Sequence, residues 1–322
     1  MLDISVIVLA GEEELHIARC LSNVAGLVKD VFVVDSFSRD RTVEIVNAFC
    51  DTKGTRMHVV QHAWPGLYAP QFNWALDNLP IQTEWVLRLD ADEYLTLELV
   101  DEIMNRIGGL PETVTGVVFP LRRVFLGKVI RHGMPEVKLL RLFRYGRARC
   151  ELRMMDEHIQ LLEGHSVEFD GHFCDHNLNN LSWWTQKHVG YAIREAADLL
   201  DIEYGLAAQQ EETKKGEGAN IGTQASAKRT KKGKYAQLPL FWRAALYFVY
   251  RYIVRGGFLE GKEAFLWHFL QGWWYRTLVD AKILEVKKRA HDIRQQAINH
   301  NKEIALDKAI VTVLCDEYGI KI

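Results

Sequence analysis

The densest chemistry in this sequence lies in Arg88-Leu89-Asp90-Ala91-Asp92-Glu93, directly after an apolar run at residues 85–89. Two carboxylates one residue apart at a strand end can divide a task. One hydrogen-bonds a ribose or sugar hydroxyl, and the other ligates a divalent cation, Mg2+ or Mn2+, through hard oxygen. Such a cation neutralises the charge that grows on a departing diphosphate. An acidic pair of this kind is also a common solvated turn, so its surroundings decide the reading. Upstream, Val33-Val34-Asp35-Ser36-Phe37-Ser38-Arg39-Asp40-Arg41-Thr42 closes an apolar run with Asp35 and continues as Ser-x-Ser-x-Asp-x-Thr. Ser38 and Asp40 read as the cap of a helix start. Asp35 is left for hydrogen bonding to a nucleobase or ribose.

The elements that must position these carboxylates follow from periodicity. Residues 4–10, 31–35, 57–61 and 85–89 are short β-branched or aromatic runs, as buried parallel strands should be. Between them, residues 13–24 and 41–49 carry apolar side chains at helical spacing, with Ile17, Cys20, Leu21 and Val24 in the first. This rhythm predicts an α/β fold with a doubly wound, mostly parallel sheet and ligands at the strands' carboxyl ends. Residues 116–172 turn strand-rich, with 117–120, 124–130 and 139–144 as strands, and 178–205 reads as helix. Residues 206–237 are rich in Glu, Lys, Gly, Gln and Ser, which suits a basic linker or lid. Beyond Pro239 the pattern is helical nearly to the end. The expected domains are therefore 1–205, a linker at 206–237 and a helical region at 238–322.

Composition narrows the setting. A formal net charge of −2 argues against a general nucleic-acid binder. Five cysteines without paired spacing suit a reducing compartment. The first residues run straight into a strand-length apolar segment, as expected without a signal peptide, and no uncharged stretch approaches the roughly 20 residues of a membrane span. The absence of Gly-x-Gly-x-x-Gly after the first strand argues against a nicotinamide enzyme.

Several motifs, in order, carry a resemblance. Ser5-Val6-Ile7-Val8-Leu9, Glu13-Glu14-Leu15-His16-Ile17-Ala18-Arg19-Cys20-Leu21, the stretch at 35–42, Gln71-Phe72-Asn73-Trp74-Ala75-Leu76 and the stretch at 89–93 together resemble family 2 glycosyltransferases. The likeness extends over roughly residues 3–195 and is nearest to bacterial lipopolysaccharide-core and exopolysaccharide glucosyltransferases. It implies a GT-A, Rossmann-like fold, a nucleoside-diphosphate sugar donor and inversion at the anomeric carbon. By that resemblance Asp35 contacts the base, Asp90 the ribose or sugar, and Asp92 the metal, while Leu9, Glu13 and Asn73 join the donor-binding surface. The family's Thr-aromatic-Asn-Glu stretch after the first strand is replaced here by Ala10-Gly11-Glu12-Glu13. Gly11 cannot stack on a base, so uridine is favoured without being deduced.

An inverting transfer needs a base for the acceptor hydroxyl. Met154-Met155-Asp156-Glu157-His158 stands where similar transferases carry it, which favours Glu157 with Asp156 as the alternative; a charged surface turn is the plain reading. His172, Cys174 and His176 alternate in a way that suggests zinc, yet structural zinc sites combine separated ligand pairs. By resemblance, Asp175-His176 followed by Lys187-His188 and Tyr191 instead lies over the donor, with His176 joining the metal and diphosphate site and Lys187 offsetting phosphate charge. A satisfied core histidine and a solvated lysine are the competing accounts.

In the tail, Phe258, Leu259, Phe265, Leu266, Phe269, Leu270 and Trp273 share a helical side, and Arg243, Tyr247, Arg251 and Arg255 form a stripe at i, i+4 spacing. With the basic run at 228–234, this suits a membrane-proximal helical region on an anionic surface. Packing on the catalytic domain or in a homodimer is the competing reading. The expectation is thus a cytoplasmic protein, peripheral on the inner face of a bacterial plasma membrane. It would transfer a hexose to a hydroxyl of a glycan or glycolipid acceptor. A polyprenyl-phosphate glycosyltransferase, needing no base, and a non-catalytic nucleotide-sugar-binding protein are the alternatives.

Overall fold

The computed structural model describes residues 1–49, 52–152, 157–206, 235–300 and 302–320. They fall into two compact units: residues 1–131 with 135–179, and residues 132–134 with 180–206 and 235–320.

The first unit is built on a mixed, parallel-dominated sheet. β1 (Leu2–Ala10), β2 (Val28–Asp35), β3 (Arg56–Gln61) and β4 (Trp85–Asp90) lie parallel in the order β3-β2-β1-β4. They are linked by α1 (Ile17–Val24), α2 (Thr42–Ala48) and α3 (Tyr68–Asn78). Pleating sends Ile4, Val6 and Val8 of β1 into one core with Ile17, Cys20, Leu21 and Val24 of α1, while Ile7 joins a second core with Phe72 and Ala75 of α3. A sheet apolar on both faces is thereby covered on both, as the doubly wound reading requires.

After β5 (Glu93–Leu95) and α4 (Leu97–Arg106), the sheet continues through β6 (Val114–Phe125), β7 (Lys128–Ile130) and β8 (Val137–Arg144). β9 (Ala148–Cys150) and β10 (Ile159–Leu161) form a separate antiparallel pair. β11 (His165–Glu168) and β12 (Phe173–Asp175) return to β6. The expected strand at 124–130 is instead a hairpin. Leu126 (φ 49°) and Gly127 (φ 78°) make its two-residue turn, both at positive φ as a type I′ turn requires. The expected strand at 117–120 extends through Pro120, which lacks a ladder donor. Pro120 is tolerated because β11 pairs β6 up to Val118 and β12 pairs it from Leu121, leaving the proline between them. The first helix begins at Ile17 and not near Glu13, whose carbonyl accepts from the His16 and Ile17 amides in the turn before it.

The second unit is helical. α5 (Leu181–Tyr204) is capped by the Asn180 side chain, which accepts from Trp183 N at 2.9 Å. It stops at Gly205, in the left-handed conformation (φ 66°). Helix Trp242–Val249 runs on through a π-helical segment, Tyr250–Val254, and Lys262–Trp267 runs through another, His268–Trp274, into Tyr275–Asn299. Leu306–Tyr318 closes the chain's helices. Most of the expected linker, residues 207–234, lies outside the described residues. No described helix is long and apolar enough to cross a membrane.

Candidate active site at the carboxyl ends of the parallel strands

Strand register brings the acidic residues to one edge. Ala10 of β1 stands opposite Asp35 of β2, and Leu9 stands opposite Asp90 of β4. The Leu9 side chain packs, half-buried, against the core that contains Phe72.

Asp35 is fully buried and accepts from Ser38 N at 3.1 Å and from Gln61 Nε2 at 3.3 Å. It pins the turn in which Phe37 takes a left-handed conformation (φ 61°) with its ring 55% exposed. Ser38 does not cap α2. Its hydroxyl accepts from Glu12 N at 2.9 Å, and the Arg39 amide donates back to Glu12 Oε1 at 3.0 Å. Asp40 accepts from Glu14 N at 3.0 Å and from Thr42 N at 2.9 Å, while Thr42 Oγ1 accepts from Glu13 N at 2.8 Å. The expected cap is therefore largely a brace between the loops after β1 and β2. Burial opposes ionisation of Asp40, but hydrogen bonds from Thr42 and Glu14 outweigh it and hold the carboxyl below its usual range.

Glu13 Oε2 lies 2.6 Å from His16 Nδ1, and His16 Nε2 accepts from Leu178 N at 2.9 Å. An amide can only donate, so the proton of neutral His16 sits on Nδ1, facing Glu13. Glu13 orients the imidazole that ties the loop at Leu178 to α1.

Around Asp90 the charges interlock. Tyr68 Oη donates to Asp90 Oδ1 at 2.9 Å, with the Arg88 guanidinium 4.0 Å from the Tyr68 ring centroid. Arg141 of β8 donates to Glu93 Oε1 at 2.5 Å and lies 3.6 Å from Asp90 Oδ2. Glu93 Oε2 accepts the Asp90 amide at 2.9 Å. Burial pushes Glu93 well above the usual carboxylate range, with Arg141 opposing and Asp90 adding to the rise.

Asp92 Oδ2 accepts from Asn177 Nδ2 at 3.0 Å, and its carbonyl accepts from Arg19 at 3.0 Å. Asp175, whose backbone pairs with Glu93, is pushed up to about 6 by burial and then by the Asp92 and Asp90 carboxylates. Asp90, Asp92 and Asp175 thus concentrate negative charge on hard oxygens. Among the described residues no three His, Cys, Asp or Glu side chains converge as a ready-made metal cage. Hard carboxylate oxygens of this kind suit Mg2+ or Mn2+, held by one or two carboxylates and completed by substrate phosphates. His176 fits less well as a ligand. Its Nδ1 accepts from Arg19 Nη1 at 3.0 Å, so neutral His176 carries its proton on Nε2 and offers an N–H there. Burial and then Arg19 lower its pKa, favouring that neutral form.

Other expected site residues make local contacts. Asn73 gives both ends of its amide to Cys150, donating to O at 2.8 Å and accepting from N at 2.9 Å, and so anchors β9. Glu157 lies two residues before β10, near enough to Cys150 that its charge adds to the rise that burial imposes on that thiol. Met154, Met155 and Asp156 lie outside the described residues. Lys187 belongs to α5 of the second unit, where its ammonium lies 4.5 Å from the Trp183 ring centroid. His172 Nε2 lies 3.6 Å from Glu136 Oε1. Sequence reasoning gave no separate role to Arg141, Glu93, Arg19 and Tyr68, and it put Asp175 over the donor by resemblance alone. An arginine within the apolar run Leu139-Leu140-Arg141-Leu142-Phe143 was the one available signal, since a buried guanidinium demands a partner.

Residues 5–160 match the family model described as glycosyl transferase family 2. An uncharacterized glycosyltransferase of Rickettsia typhi is 38% identical over 103 residues, 32% of either chain. A TPR repeat-containing protein of Synechococcus elongatus is 26% identical over 193 residues, covering 59% of this chain and 43% of that protein. The chain thus spans about a third of the length of the Rickettsia relative. Among solved structures, S. aureus TarS 1–349 in complex with UDP-GlcNAc aligns over 94% of this chain and 93% of its own at 14% identity, with a TM-score of 0.44. The matched family model and the Rickettsia relative are both described as glycosyltransferases.

Proposed function

We propose that this chain is an inverting glycosyltransferase. It moves a hexose from a nucleoside-diphosphate sugar, UDP-linked by preference, to a hydroxyl of a cell-surface glycan precursor such as lipopolysaccharide core or a lipid-linked oligosaccharide. The observation that carries this reading is the grouping of Asp90, Asp92 and Asp175 at strand ends, one strand beyond β1 from Asp35.

Asp35 and the braced loop at residues 36–42 receive the base and ribose. Asp90, steadied by Tyr68 and Arg141, accepts from a ribose or sugar hydroxyl. Asp92, with Asp175 beside it, holds Mg2+ or Mn2+, which neutralises the leaving diphosphate. His176 Nε2–H donates to a phosphate oxygen. Glu157 takes the acceptor hydroxyl's proton as that oxygen bonds to the anomeric carbon. The bond from that carbon to the diphosphate oxygen breaks, and the nucleoside diphosphate leaves with the electron pair. The acceptor's chemistry puts the protein at the inner face of a bacterial membrane.

Titration calorimetry with UDP-glucose, in Mn2+ and then in chelator, tests the reading. Binding should be tighter in Mn2+, and Asp92→Asn should erase that gain and abolish turnover. Equal donor affinity in the wild type with and without metal would sink the metal assignment. Absence of binding to any nucleotide sugar would sink the whole reading.

A further inference from the structure

Between residues 241 and 260 the second unit turns its chemistry inside out. Arg243 and Arg251 were expected as an outward basic stripe, yet they are only 2% and 1% exposed. Arg243 Nε donates to Asp280 Oδ1 at 2.7 Å, and Arg251 donates to Gln271 Oε1. Glu260 is buried too, accepting from His132 N at 3.0 Å. The outward side carries Trp242, Leu246, Val249, Tyr250, Ile253 and Val254, from 45% exposed at Tyr250 to 71% at Trp242. Their offsets from Trp242 are 4, 7, 8, 11 and 12, which is one face of a continuous helix. Phe258 and Leu259 extend the exposed apolar surface on the next turn. Arg255 is the one exposed charged residue among residues 241–260.

An apolar helix face turned outward, while its own arginines are paired within, needs a partner that is itself apolar. We propose that this face of residues 242–259 beds into the interfacial layer of an anionic lipid membrane. Since no described helix is long and apolar enough to cross a bilayer, the segment lies in the surface. Trp242 and Tyr250 suit that layer, where an aromatic ring is buried and its polar atom stays wet. Charge selects the lipid. Arg255 is exposed along the segment and Lys262 just beyond it, next to the half-buried Glu263, while the Glu260 carboxylate is buried. The sequence just before it adds Lys228, Arg229, Lys231, Lys232 and Lys234. A second copy of the chain fits worse. Two-fold pairing of this face would bring the flanking Arg255 toward its own copy with no exposed carboxylate among residues 241–260 to offset it.

The proposal deepens the membrane setting named above, but its test uses no sugar nucleotide, so the two can fail separately. Full-length protein is floated with phosphatidylglycerol vesicles and, in parallel, with phosphatidylcholine vesicles. It should float with the first and release as salt rises. Leu246→Glu with Val254→Glu should cut partition by about an order of magnitude. Arg255→Glu, outside the apolar face, should weaken binding severalfold and flatten its salt dependence. Brominated lipid should quench wild-type fluorescence more than that of Trp242→Phe. Circular dichroism checks that each variant is folded. Wild type that stays with the sediment at low salt, or a folded Leu246→Glu/Val254→Glu protein that floats unchanged, overturns the proposal. So does a wild-type dimer that these substitutions dissolve while lipid binding is absent.

Discussion

Arg141 of β8 donates to Glu93 Oε1 at 2.5 Å, and both side chains are buried beneath the Asp90–Asp92 turn. This pair, 48 residues apart in sequence, holds the base of the acidic group. Removing one partner strands the other charge in low dielectric, which costs about 3–5 kcal/mol. Arg141→Met should therefore lower urea-denaturation stability by that order and reduce donor binding through a displaced Asp90. Adding Glu93→Leu to it should recover much of the stability but not the activity. A single variant as stable as wild type would contradict the pairing.

Asp175 gives a pH signature. Burial first, then Asp92 and Asp90, raise its carboxyl from 3.8 to about 6 in the fold. A raised folded-state value means that folding favours the protonated form. The stabilising contribution is complete below about 3.8 and is lost as pH rises through about 6. In chelator, thermal stability should carry a downward component across that window, and Asp175→Asn should remove it. A pH–stability curve unchanged by the substitution would refute this account of Asp175.

The base separates two kinds of acceptor. Glu157→Gln keeps shape and loses the proton acceptor, so transfer to a hydroxyl should fall by about 10²–10⁴-fold with donor affinity nearly unchanged. Asp156→Asn should hurt less. The reverse ranking would move the role to Asp156. Near-wild-type transfer by both variants would point to a phosphate acceptor, which needs no deprotonation.

Phe37 holds a left-handed backbone that costs a non-glycine residue about 1–2 kcal/mol, while its ring stays exposed beside Asp35. Gly11 supplies no ring on the neighbouring strand end. Phe37→Gly should raise the melting temperature or leave it unchanged, yet weaken UDP binding by several-fold in calorimetry. Unaltered UDP affinity would mean the ring takes no part in base stacking.

Much of the architecture was legible in the chain because it depends on short-range pattern. The apolar runs ending at Ala10, Asp35, Gln61 and Asp90 became the parallel strands, and Ile17, Cys20, Leu21 and Val24 became the buried face of α1. Parallel strands divided by helices carry their acidic ends to one edge, so Asp35 and Asp90 were found where the pattern put them. What each side chain does there was decided by the tertiary fold. Asn73 resembled a donor contact but bonds the Cys150 backbone 77 residues away, and Ser38 resembled a cap but braces Glu12. The arginines at 243 and 251 resembled a solvent-facing stripe because periodicity reports that residues share a face, not which way the face turns. Asp280 and Gln271, brought alongside by a later helix, turned those arginines inward and left Trp242, Leu246 and Ile253 outside. Such pairings form between groups distant along the chain, and their desolvation cost is met only when both partners arrive together.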